Sequence, residues 1–115
     1  MTKKQFNRLL KQTKEHWKND ILKAPVKLLR QETPILAKKC AVCKFFTDNY
    51  RKNGCWECFL RGGALHCMKE VNDANRSILV FQDSGCSIAY VRKYCRIAYK
   101  AILQRFADYE KKHFA

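Results

Sequence analysis

Residues 88–109 read IAYVRKYCRIAYKAILQRFADY, and the spacing of their apolar members decides the fold class. Ile88, Val91, Cys95, Ala98, Tyr99, Ile102, Phe106 and Tyr109 form one stripe at steps of three and four, the signature of an amphipathic helix. Lys93, Arg96, Lys100 and Lys111 lie away from it, and Asp83, Ser84 or Ser87 can supply the N-cap. The same period runs from about Lys3 to Leu22 through Phe6, Leu9, Leu10, Thr13, Trp17 and Ile21, with Lys4, Arg8, Lys11 and Lys18 opposite. Pro25 interrupts that helix. A short second helix over Val26–Gln31 is expected before Thr33-Pro34 breaks the pattern, because the residue before a proline avoids the helical region.

Between these flanks the signals are short. Lys44 to Tyr50 suits a turn of helix, while Gly54 and Gly62-Gly63 read as turns. Residues 77–81 (SILVF) are a continuous apolar run of strand character, and a small hairpin near the cysteines is compatible with the pattern. The expected architecture is mainly α: a small zinc-knuckle centre, with or without a short β-hairpin, between N- and C-terminal amphipathic helices. A length of 115 residues suits one domain. We divide it into a basic helical flank (1–39), a cysteine-rich zinc centre (40–87) and a C-terminal basic amphipathic helix (88–115). The three parts carry +8, +1 and +5, so the net charge of +14 sits on the flanks.

Composition excludes several classes. With 47% apolar and 12% aromatic residues the chain is too hydrophobic for a basic disordered tail. No run approaches the roughly 18 uncharged apolar residues of a membrane span, and Met1-Thr2-Lys3-Lys4-Gln5 opens no signal-peptide core. A soluble, cytoplasmic protein with no membrane association is expected. Seven cysteines in such a setting read as reduced thiols or metal ligands rather than a disulfide framework.

Their spacing selects the metal reading. Cys40-Ala-Val-Cys43 and Cys55-Trp-Glu-Cys58 are two Cys-x2-Cys pairs separated by eleven residues. Each such turn lets two thiolates converge on one ion at about 2.3 Å, and two of them complete the tetrahedral four-sulfur shell of a structural zinc ion, Zn(2+). Cys67, which follows His66, is an alternative ligand, and His66 itself is another. Cys95 falls on the apolar stripe of the last helix and reads as a packed thiol.

The run Cys40-Ala-Val-Cys43-Lys44-Phe45-Phe46, then Cys55-Trp-Glu-Cys58, a glycine-containing turn and Cys67, preceded by Glu15-His16-Trp17, resembles small cysteine-rich proteins of unassigned function from tailed bacteriophages and prophages. The likeness spans His16 to Cys67. It implies a phage-encoded accessory protein acting in host cytoplasm and supplies no activity.

A pI near 9.7 is the electrostatic footprint of a protein that meets phosphate backbones. The expected nucleic-acid contacts, to DNA or RNA, are Lys4, Arg8, Lys11, Lys18, Lys93, Arg96 and Lys100, with Tyr90, Tyr94 and Trp56 as stacking candidates. The competing expectation is a protein-interaction factor that binds or inhibits a host enzyme through an acidic or nucleic-acid-mimicking surface, using Trp56, Phe59 and Leu60 as an exposed apolar patch. Catalysis finds little support. His16, His66 and His113 are scattered, and a zinc-stabilised nuclease with His66 as general base is the one enzyme reading the spacing allows.

Overall fold

The computed structural model describes residues 1–31, 40–50, 58–63 and 66–114, and these are mainly helical. Helix α1, Lys3–Glu15, starts in a capping box. The Gln5 N–H donates to Thr2 Oγ1 (3.1 Å), and the Thr2 N–H donates to Gln5 Oε1 (2.8 Å), so two orphan donors of the first turn are satisfied reciprocally. The helix widens into a π-helical segment, His16–Leu22. Phe6, Leu9, Thr13, Trp17 and Ile21 are buried along the two, as the period requires. Pro25 precedes α2, Val26–Gln31, whose limits match the expectation and whose Leu29 enters the core. Helix α3, Ala41–Tyr50, begins three residues earlier than expected and buries Val42 and Phe46.

A two-stranded antiparallel hairpin follows, β1 (Arg61–Gly63) with β2 (His66–Cys67), pairing Arg61 with Cys67 and Gly63 with His66. Gly62 and Gly63, read from sequence as a turn, lie in β1. A Cβ at Gly62 would stand 2.5 Å from Met68 Cα and 2.8 Å from Cys67 O, so only glycine lets this strand lie against the backbone that carries Cys67.

The expectation of a strand at Ser77–Phe81 is overturned. These residues lie inside α4, Lys69–Ser84. Val71, Ala74, Ile78 and Phe81 are buried at steps of three and four, whereas Leu79, within the apolar run, is 43% exposed. Helical periodicity over sixteen residues outweighs the strand preference of a five-residue window with two β-branched members, Ile78 and Val80. Buried Ser77 is satisfied locally, its hydroxyl donating to Ala74 O at 2.6 Å. Gly85 ends the helix in the left-handed conformation (φ 71°).

Helix α5, Ile88–Phe114, packs along α4 and buries Val91, Cys95, Ala98, Ile102 and Phe106, all on the expected stripe. Of the three candidate caps, Ser87 serves: its Oγ accepts from the Tyr90 N–H at 3.2 Å. The helix runs past Tyr109 because its last turn has a partner. The rings of Tyr109 and Phe114 lie 5.8 and 5.4 Å from that of Phe6 on α1. Among the described residues no helix is long and apolar enough to cross a membrane.

Candidate metal centre and basic surface

Cys40 stands immediately before α3 and Cys43 in its first turn, so the first Cys-x2-Cys pair rides on a helix N-terminus. Both are half-buried. Burial pushes the Cys40 thiol up, while hydrogen bonds from the Cys43 and Val42 backbone oppose the rise.

The second group is built around one peptide unit. The Leu60 N–H donates to Cys58 Sγ (3.4 Å), and Cys67 Sγ donates to Leu60 O (3.9 Å), so the hairpin returns Cys67 to the residue that follows the Cys58 turn. Asn72 Nδ2 holds the Cys67 carbonyl from α4 at 3.0 Å. Burial pushes the Cys58 thiol up to about 12, the Leu60 N–H counteracts, and the thiols of Cys67, Cys40 and Cys43 all raise it further. The two groups therefore lie within electrostatic range of each other. Among the described residues they stand as two clusters: no three His, Cys, Asp or Glu side chains form one metal-holding group. Cys55 and Trp56 lie outside the described residues, as does the side chain of His66.

Backbone N–H groups aimed at the sulfurs of Cys40 and Cys58 favour thiolate, against the burial that favours the neutral thiol. The six described cysteines form no disulfide among themselves. Cys95 is a packed thiol, as its place on the stripe implied, and burial pushes it up to about 11. Cys86, at the α4–α5 corner, donates to Ser77 O at 3.8 Å.

All seven expected phosphate contacts, Lys4, Arg8, Lys11, Lys18, Lys93, Arg96 and Lys100, are exposed. Three of those in the N-terminal helical segment open onto two different grooves. Lys11 and Lys18 line one with Lys14 and Asn7, and Arg8 lines another between α1 and α3 with Lys44 and His16.

Two arginines on α5 serve the interior instead. Arg92 donates to the carbonyls of Leu22 and Ala24, closing the end of the π-helical segment with its planar fork. Arg105 Nη1 donates to Phe59 O (3.0 Å) and Arg61 O (3.1 Å), holding the Cys58–Arg61 turn against α5. The available sequence signal was their position, at the edge of the apolar stripe rather than opposite it. Arg105→Ala is expected to cost about 1.5–3 kcal/mol, the usual worth of hydrogen bonds to a charged group. Chemical denaturation measures it, and a loss below about 0.5 kcal/mol would show that the clamp carries little.

The apolar patch expected at Phe59 and Leu60 is not exposed. Leu60 is 1% exposed, and the half-buried Phe59 ring packs against Phe106 (4.9 Å), Tyr109 (4.8 Å) and Phe46 (5.8 Å). The aromatic cluster gains more by covering these side chains than solvent exposure allows. Tyr90 is exposed and Tyr94 half-buried, whereas Trp17 is buried beneath Tyr99.

These features define a mainly helical protein in which the turn that carries Cys58 is clamped to a long basic helix. No protein-family model matches the chain, nor does any curated protein or solved structure.

Proposed function

We propose that the protein is a small, non-enzymatic, zinc-binding and strongly basic accessory protein that binds nucleic acid without strong sequence preference. The observation that carries this reading is the division of labour on α5. Arg92 and Arg105 are committed to backbone carbonyls, while Lys93, Arg96 and Lys100 face solvent and join no ion pair among the described residues. Lysines and arginines left in water beside each other attract a polyanion and release its counterions. The proposed zinc, held by Cys40, Cys43 and Cys58 with Cys55 or Cys67, makes the scaffold that Arg105 ties to that helix. The resemblance to phage proteins adds host cytoplasm as the place of action.

The charge-reversed variant K93E/R96E/K100E is expected to bind a 20-base-pair duplex about 100-fold more weakly at low salt. Its log-affinity against log-salt slope should shrink by roughly 2–3, close to 0.9 per lost phosphate contact. Fluorescence anisotropy at two or more salt concentrations measures both. Unchanged affinity and slope would remove α5 as the contact surface. Copurification of one host protein, with no nucleic-acid binding at any salt, would favour the protein-interaction reading.

A further inference from the structure

The outward face of α5 is not purely ionic. Tyr90, Lys93, Ile97 and Lys100 follow one another at steps of three and four, so they share one side of the helix, over about 15 Å at 1.5 Å per residue. Tyr90 is 41% and Ile97 43% exposed, although the buried stripe of the same helix has its own apolar residues in contact with α4. The Tyr90 ring is steadied by Tyr94, edge-on with ring centres 4.8 Å apart, so little conformational freedom is left to lose when something stacks on it. Single exposed apolar side chains are ordinary. Two interleaved with Lys93 and Lys100 and flanked by Arg96 form a surface that offers an aromatic face and cations together.

That combination discriminates between nucleic acids. A duplex presents phosphates to Lys93, Arg96 and Lys100 but keeps its base faces stacked inside, out of reach of Tyr90. A single strand presents both phosphates and unstacked bases, and every base has a π-face. Resting on the nucleic-acid reading above, we infer that this face of α5 is a stacking platform for single-stranded nucleic acid, with Tyr90 taking a base and Lys93, Arg96 and Lys100 the adjoining phosphates. The shared ligand chemistry is an unpaired base on a phosphodiester chain, from DNA or RNA.

Fluorescence anisotropy with 20-nucleotide oligothymidylate, 20-nucleotide oligouridylate and a 20-base-pair duplex tests it on the full-length protein. The expected result is that Tyr90→Ala weakens single-strand binding about tenfold, within the range measured for loss of one base–aromatic stack, and leaves duplex binding within about twofold. Tyr90→Phe, which retains the ring, should bind single strands as the parent does. Tyr90 dependence on either oligomer supports the platform and names DNA, RNA or both as its source. A Tyr90→Ala protein with an unchanged melting temperature that binds single strands normally, or that loses duplex and single strand equally, overturns the platform. If K93E/R96E/K100E still abolishes binding in that case, the charge reading survives. A parent protein that binds none of the three probes refutes both.

Discussion

Removing the proposed zinc with a strong chelator is expected to lower the thermal midpoint by about 10 °C or more, the shift that a loss of about 3 kcal/mol produces in a domain of this size. The reason lies in how little backbone pairing the hairpin itself supplies around Cys58 and Cys67. The hairpin has three residues in one strand and two in the other, and its Leu60 peptide is satisfied partly by sulfur. Metal binding to four thiolates is worth far more than such contacts, on the order of 10 kcal/mol. The paired variant C40S/C43S should reproduce the chelated state, whereas Cys86→Ser should keep its metal, since Cys86 sits at the α4–α5 corner. Native mass spectrometry of the purified protein should count one zinc per chain, and the metal content of Cys55→Ser against Cys67→Ser identifies the fourth sulfur. Protein that is purified without metal, and whose melting is unaffected by chelator, would refute the zinc centre.

Phe106→Ala is expected to cost about 3–5 kcal/mol, the range for emptying a buried phenyl site. Phe106 is 1% exposed and lies where three parts of the chain meet. Its ring centre is 5.5 Å from that of Phe6 on α1 and 4.9 Å from that of Phe59 after the Cys58 turn. A cavity there removes partners from both neighbours, and α1 and the Cys58–Arg61 turn lose a common anchor on α5. Phe106→Leu fills most of the volume and should cost well under half as much. Urea denaturation compares the two, and a loss below about 1.5 kcal/mol for the alanine variant would mean that the site collapses freely.

Much of the local structure was legible from the residues. The stripe from Ile88 to Tyr109, the alternation from Phe6 to Ile21 and the pair of prolines around Val26–Gln31 each carry a helical period or a stop signal within a few residues of sequence. Misreading Ser77–Phe81 shows the limit of short windows. A run of four apolar residues fits a buried strand or a helix equally, and only the continuation through Val71 and Ala74 separates them. Cys95 as a packed thiol was legible for the same reason as its helix. The candidate metal site was legible as a set of cysteines but not as an arrangement, because Cys67 reaches Leu60 only through a hairpin whose close approach depends on Gly62.

By itself, the sequence determined that the chain is mainly helical, roughly where the helices of its two flanks lie, and that Lys4, Arg8, Lys11, Lys18, Lys93, Arg96 and Lys100 lie away from the apolar stripes. These are local properties, set by periodicity, caps and prolines. The tertiary structure alone decided which cations remain in solvent. Arg92 and Arg105 differ from Lys93 and Arg96 in sequence only by lying at the edge of the stripe, yet each donates to carbonyls that are 44 to 70 residues distant. It likewise decided that Phe59 and Leu60 are covered while Tyr90 and Ile97 are not. Burial depends on which segments meet in space, and no local pattern encodes that meeting.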